Sequence, residues 1–194
     1  MCKKVWSSIF TPRAIAFRAT KGLDVMSDEL AVGVVQMINA RVAGVAFTAD
    51  PNTGNTSVII IDANWGLGES VVGSGADCGT PDHWIIDKNS FEILRFVLGE
   101  KKRAIRCAVD HEGTLVVDLS SDEKCYPCLS HEEIQTVADT AYKLEKTFGH
   151  PVDVEWSIDQ EGVLYLLQCR PLVVAKKNAV DVVVVVDYMI TQML

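Results

Sequence analysis

Four polar side chains near the C-terminus have the chemical types that bind a metal ion beside a phosphate. Asp153 and Glu155 lie two residues apart in Val-Asp-Val-Glu-Trp, and Gln168 and Arg170 lie two residues apart in Gln-Cys-Arg-Pro. Carboxylate and amide oxygens are ligands for hard cations such as Mg²⁺, and arginine offers a fork of donors to phosphate oxygens. Polar strand residues more commonly form a face exposed to solvent, so the residue types alone leave both a metal site and a solvated face open.

The alternation of polar and apolar residues around them predicts a β-hairpin. Asp159 to Gly162 is predicted as a four-residue loop, which places Ile158 opposite Val163 and Glu155 opposite Leu166. Strand residues two apart share a face, so the four polar side chains are expected on one face. The other face is expected to be core, with four apolar side chains: Val154, Trp156, Tyr165 and Leu167.

A glycine-rich segment is the second candidate for binding chemistry. Gly66-Leu67-Gly68-Glu69 is followed by Gly73 and Gly75, and glycines allow backbone N–H groups to approach phosphate oxygens closely. Glu69 is a candidate to support a cation there. No Gly-Lys-Ser/Thr of a Walker loop follows, so an ordinary glycine-rich turn is the default interpretation of this segment.

The apolar run from Leu30 to Ile38 predicts a buried strand. The backbone edge of such a strand can hold an adenine base, with Met37 packing on it. Three basic residues are candidates either for phosphate contacts or for ordinary surface charges: Arg18, Lys21 and Lys101.

The composition is that of a globular protein. The 194 residues are 48% hydrophobic with a net charge of −8, and no long basic stripe favours nucleic acid as a partner. No apolar run approaches the ~20 residues that cross a bilayer, and Val182 to Val186 is a strand candidate. Six scattered cysteines favour reduced thiols in the cytoplasm, and Cys125-Tyr-Pro-Cys128 leaves a redox or zinc module as a remote alternative.

The elements predicted along the chain give an α+β fold with more strands than helices. Helices are predicted from Trp6 to Thr20 and from Ser130 to Phe148, where Ser130 and Glu133 form a capping box before Gly149 ends the helix. Further strands are predicted at Ala43 to Thr48, Ser57 to Ala63, His83 to Asp87, Glu92 to Leu98 and Thr114 to Leu119, with a turn at Asp50 to Gly54.

These segments, in this order, resemble the nucleotide-binding domain of the phosphoenolpyruvate synthase family, which includes pyruvate phosphate dikinase and the rifampicin phosphotransferases. The resemblance runs from about Val5 to Leu172. Its most specific parts are Gly-Val-Ala-Phe-Thr-Ala-Asp-Pro, Gly-Leu-Gly-Glu and the hairpin with Glu155 thirteen residues before Gln168.

The resemblance implies an ATP-grasp fold in which ATP and Mg²⁺ lie between two α+β lobes. Residues 1–175 would be part of that domain, with its first lobe mostly missing, and 176–194 a tail of unknown role. The family's motif implies metal ligation by Glu155 and Gln168, and nucleotide contacts from Gln36, Met37, Glu69, Gln168 and Arg170. Arg170, on phosphate, is the expected catalytic residue, and Asp153 is expected to support the site.

The full enzymes convert ATP, pyruvate and water into AMP, phosphoenolpyruvate and phosphate through a phosphohistidine. The resemblance implies that this chain is the ATP-binding portion, incomplete for turnover alone, with the phosphohistidine and pyruvate-binding domains as partners. Two alternatives stay open from the sequence. One is a fragment of a related dikinase such as a rifampicin phosphotransferase, and the other is a truncated, non-catalytic interaction protein.

Overall fold

A computed structural model describes residues 2–20, 22–24, 30–72, 77–108 and 113–172. Several predictions of the sequence lie outside the described residues: those for Lys21, Gly73, Gly75, the strand at Val182 to Val186 and the tail 176–194. The chain divides into two units, and the boundary falls between Met37 and Ile38.

The N-terminal unit is helical. It contains α1 (Cys2–Ser7), a 3-10 turn (Ser8–Phe10) and α2 (Pro12–Thr20). The single helix predicted from Trp6 to Thr20 is therefore wrong: Thr11 is extended, with φ −67° and ψ 149°. The cause is Pro12, whose ring disfavours helical geometry in the residue before it.

The buried strand predicted from Leu30 to Ile38 is also wrong. These residues form no strand, and Val34 and Val35 are 85% and 80% exposed. Apolar composition alone predicted burial, whereas burial requires a neighbouring element to cover the segment.

The larger unit has the predicted α+β composition, and its strands pair antiparallel. Its elements in chain order are β1 (Ala40–Phe47), β2 (Val58–Trp65), α3 (Glu69–Val72), β3 (Asp82–Asp87), β4 (Ile93–Val97), β5 (Arg103–Cys107), β6 (Thr114–Asp118), α4 (Ser121–Cys125), α5 (His131–Phe148), β7 (Val152–Asp159) and β8 (Leu164–Pro171). Six strands form one sheet in the order β4-β3-β2-β1-β7-β8, and β5 pairs with β6 in a second sheet. The strand β5 and the helix α4 were not predicted.

Helix α5 covers one face of the six-stranded sheet. Its start is fixed by the predicted capping box of Ser130 and Glu133, and Gly149 ends it with φ 75°. The buried face of α5 joins the inward residues of four strands in the main core: Ile134, Val137, Ala138 and Ala141 from the helix, and Val42, Ile61, Trp84 and Trp156 from the sheet. This arrangement leaves the polar residues of β7 and β8 on the opposite face.

The second face of the sheet is partly covered by the small β5–β6 sheet. Ala43, Leu67 and Ile105 form a minor core there. The backbone of the glycine-rich segment is fixed between the two sheets, because Gly66 N–H donates to the Arg41 carbonyl at 2.8 Å and Leu67 N–H to the Ile105 carbonyl at 2.7 Å. The other end of this face carries the polar side chains described below.

Lys101 is a structural residue. Its side chain is 0% exposed and pairs with Asp82, which is equally buried. Asp82 also accepts hydrogen bonds from the backbone N–H groups of Gly99 and Cys128, both at 2.8 Å. The interpretations of Lys101 as a phosphate contact or a surface charge are therefore both wrong.

No helix within the described ranges is both long enough and apolar enough to cross a membrane.

Candidate functional site

The hairpin of β7 and β8 forms, with a register different from the predicted one. Glu155 lies opposite Gln168 rather than Leu166, and Ile158 lies opposite Leu164 rather than Val163. The register shifts between Glu155 and Trp156, where Leu167 is left between two paired positions. The alternation of polar and apolar residues does not predict a bulge of this kind, because the extra residue interrupts the two-residue repeat.

The bulge also changes which apolar residues lie on the core face. Trp156 lies opposite Leu166, and Val154 opposite Cys169, so the prediction of Tyr165 and Leu167 on that face is wrong. Tyr165 lies opposite Ser157 on the other face. The four polar residues still share a face, because directly opposite residues of an antiparallel pair point the same way.

Two cross-strand pairs make the centre of the candidate site. Glu155 stands opposite Gln168, and Asp153 stands opposite Arg170. Arg170 Nε donates a hydrogen bond to Asp153 Oδ2 at 2.7 Å. The side chain of Asp153 is nearly buried and that of Arg170 is half-buried, so this ion pair is only partly screened by water.

The same face extends across the sheet to a second pair, Asp62 on β2 and His83 on β3. His83 Nδ1 lies 2.6 Å from Asp62 Oδ1. Together these six side chains are called the polar face: Asp62, His83, Asp153, Glu155, Gln168 and Arg170. The sequence did not single out the Asp62–His83 pair as a site, although Asp62 interrupts the apolar run of β2 and alternation assigns it to the face opposite Ile61.

The donor set at Glu155 and Gln168 fits a hard cation whose coordination a ligand completes. Within the described ranges, no group of three or more His, Cys, Asp or Glu residues is arranged to hold a metal. Mg²⁺ is typically bound through one or two carboxylates plus substrate phosphates, so a carboxylate and an adjacent amide oxygen suit that mode.

A second observation supports a ligand at this end of the sheet. Asp153 Oδ1 is buried and accepts no hydrogen bond from the described part of the chain. A buried carboxylate oxygen without a donor is costly, and a bound water or ligand donor would satisfy it.

The other predicted nucleotide residues do not belong to strands β7 and β8. Glu69 is the first residue of α3, beside the minor core, and burial raises the pKa of its carboxyl group. Gln36 and Met37 are exposed in the N-terminal unit, outside any strand. Arg18, in the same unit, is buried, and its guanidinium donates to the Ile9 carbonyl, so a role as a surface charge is wrong.

The Cys125-x-x-Cys128 pair lacks the properties of a reactive dithiol. Both cysteines are free, with Cys125 exposed and Cys128 1% exposed. Burial raises the pKa of the Cys128 thiol well above its ordinary value, with the nearby Asp82 carboxylate adding to the effect. Reactive cysteines need a lowered pKa, so this site does not favour redox chemistry.

Comparison with known proteins identifies relatives of this chain by sequence. Residues 1–188 match the family model of the pyruvate phosphate dikinase AMP/ATP-binding domain. A probable phosphoenolpyruvate synthase of Methanocaldococcus jannaschii is 39% identical over 177 residues, covering 91% of this chain and 14% of the relative. The phosphoenolpyruvate synthase of Pyrococcus furiosus is 38% identical over 185 residues, covering 91% of this chain and 22% of the relative. That of Aeropyrum pernix is 32% identical, covering 87% of this chain and 24% of the relative. The chain thus spans less than a quarter of the length of these relatives.

Proposed function

The chain belongs to the family of pyruvate phosphate dikinase AMP/ATP-binding domains, and from that membership we propose that its polar face binds ATP together with Mg²⁺. One observation carries the proposal: Glu155 lies directly opposite Gln168, next to the ion pair of Arg170 and Asp153. Oxygen ligands for a cation and a guanidinium for phosphate are thereby adjacent on one face of a rigid sheet.

In this proposal Glu155 and Gln168 hold the metal ion through a carboxylate and an amide oxygen. A bound Mg²⁺ would supply positive charge that neutralises the phosphate oxygens during phosphoryl transfer. The chain contributes the positions of these ligands, since both stand on paired strands whose backbones are fixed by ladder hydrogen bonds.

Arg170 is proposed to contact phosphate and to stabilise the charge of the transferring group. Its Nε donates to Asp153, which fixes the plane of the guanidinium relative to the sheet. In this proposal Asp153 is a positioning residue that acts through Arg170. Preorganised donors of this kind stabilise developing charge without reorganisation during the reaction.

The finer assignments of the nucleotide are parts of the same proposal. Residues 1–175 are proposed to form part of an ATP-grasp-like domain. Gln36 and Met37 are proposed to contact the adenine, and Glu69 to lie near the nucleotide. A cytoplasmic location stays a prediction.

A role in the phosphoenolpyruvate synthase reaction is proposed by analogy with three relatives, which bear the name phosphoenolpyruvate synthase or probable phosphoenolpyruvate synthase. In that reaction a phosphoryl group passes from ATP to a histidine and then to pyruvate, which requires domains that carry the histidine and bind pyruvate. The polar face would serve the nucleotide step, whatever the final acceptor.

Isothermal titration of the chain with ATP, with and without Mg²⁺, tests the proposal. We expect Mg²⁺-dependent binding, and at least a tenfold loss of that affinity in Glu155→Gln, which corresponds to about 1.4 kcal/mol. Glu161→Gln is the matched control, because Glu161 is an exposed carboxylate in the turn of the same hairpin. Its affinity should equal that of the wild type.

Two results would contradict the proposal. One is the absence of heat from the folded wild-type chain at millimolar ATP and Mg²⁺, which would favour a non-catalytic interaction protein. The other is equal, metal-independent affinity in the wild type and in Glu155→Gln, which would place ATP away from the polar face.

A further inference from the structure

The Asp62–His83 pair lies on the same face as the proposed nucleotide site. Cross-strand pairing puts Gln168, Glu155, Val45, Asp62 and His83 in one continuous row across β8, β7, β1, β2 and β3. Since neighbouring strands are about 4.8 Å apart, the backbones of Glu155 and Asp62 are separated by about 10 Å. The residue between them in the row is apolar: Val45 on β1.

The contact between the two side chains orients the histidine. Asp62 Oδ1 lies 2.6 Å from Nδ1 of His83, so the carboxylate accepts a hydrogen bond from Nδ1–H, and Nε2 is the nitrogen that can meet a further partner. The side chains of His83 and Asp62 keep 33% and 24% of their surface exposed, so a ligand can reach the ring.

The partly exposed ring of this pair is also a candidate partner for an anionic ligand. A protonated histidine ring donates from Nε2, and hydrogen bonds from a cationic donor to phosphate oxygens are among the stronger ones in proteins. Apart from His83, the donor that this row offers to phosphate is the amide of Gln168, because Glu155 and Asp62 are carboxylates.

We propose that His83, positioned by Asp62, contacts the phosphate end of the bound nucleotide on the side of Val45 opposite Glu155. This inference rests on the proposed function and extends its site by one phosphate-binding residue. The ligand oxygens are those of the terminal phosphates, so the contact is made by ATP and not by AMP.

Binding of ATP and AMP to histidine variants, both in Mg²⁺, tests the inference. His83→Ala should weaken ATP binding about tenfold and leave AMP binding within twofold of the wild type. Asp62→Asn, which keeps an acceptor for Nδ1–H but removes the negative charge, should weaken ATP binding several-fold. His131→Gln is the control, because His131 is exposed at the start of α5. Thermal unfolding of each variant verifies that it is folded.

NMR of the histidine rings gives a second readout that a structural role would not change. The sequence has four histidines, so the signals lost in His83→Gln and His131→Gln identify two of them directly. The His83 signal should shift on addition of ATP and stay in place with AMP. Equal losses for ATP and AMP in His83→Ala, or an unmoved His83 signal, would overturn the inference. If Glu155→Gln loses ATP affinity while His83→Ala keeps it, this inference alone fails. If the wild type binds no nucleotide, the proposed function fails with it.

Discussion

Replacing Lys101 with methionine should destabilise the larger unit strongly. Methionine keeps the approximate length of the side chain and removes its charge. The carboxylate of Asp82 would then remain 0% exposed without its cationic partner, with only the backbone N–H groups of Gly99 and Cys128 to satisfy it.

The expected loss is about 3–5 kcal/mol, the usual cost of breaking a buried pair by removing one partner. A domain is typically stable by only about 5–15 kcal/mol, so this variant would lose a large share of its stability. With an m-value near 2 kcal/mol/M in urea, the unfolding midpoint should fall by about 2 M.

Urea unfolding followed by tryptophan fluorescence measures this change, because Trp84 and Trp156 lie in the main core. The matched control is Lys102→Met, one residue along. Lys102 pairs with Asp77 at 3.3 Å, but the two side chains are 58% and 72% exposed, so the loss should stay within about 0.5 kcal/mol. A loss below 1 kcal/mol in Lys101→Met, or equal losses in both variants, would refute the buried-pair reasoning.

Two further predictions concern the core and the thiols. Gly44→Ala should lower the free energy of unfolding in urea by at least about 2 kcal/mol, because the new Cβ would lie 2.7 Å from Cζ2 of Trp156. The control is Gly68→Ala, which should lose less than about 1 kcal/mol because open space surrounds Gly68. Equal losses in the two variants would contradict the packing argument. The raised pKa of Cys128 means that the folded state keeps the thiol proton that the unfolded state releases from about pH 8.5, so stability should fall as pH rises above that value. In Cys128→Ala the free energy of unfolding should fall less steeply with pH than in the wild type, by up to about 1.4 kcal/mol per pH unit. Urea unfolding between about pH 9 and 10 measures both slopes, and equal slopes in the variant and the wild type would exclude this effect.

Local signals in the sequence were sufficient for several elements. The capping box of Ser130, the apolar stripe that follows and Gly149 act within one helix, and α5 begins and ends where they indicate. Alternation likewise placed Asp153, Glu155, Gln168 and Arg170 on one face of a hairpin, although the position of the loop and the register were wrong. The four residues share a face despite the wrong register, because the extra residue Leu167 at the bulge shifts the pairing by one and so returns Gln168 and Arg170 to the face of Glu155 and Asp153.

Predictions that depended on distant partners failed. The apolar run from Leu30 to Ile38 has the composition of a buried strand, yet Val34 and Val35 are exposed. Lys101 lies in a run of charged residues that is typical of a surface turn, yet it is buried and pairs with Asp82, nineteen residues earlier. Burial and ion pairing are properties of what surrounds a residue, and the surroundings are set by segments far away in the chain.

The sequence by itself determined the α+β class, the long helix, most strands and the four polar residues of the hairpin, because each of these depends on periodicity or capping within a few residues. Only the tertiary structure decided that β2 and β3 continue the same face, which brings Asp62 and His83 into one row with Glu155. Strand order is a matter of non-local pairing, in which the order β4-β3-β2-β1-β7-β8 places β7 beside β1 across more than a hundred residues. The spacing of residues along the chain therefore does not indicate which strands lie next to each other.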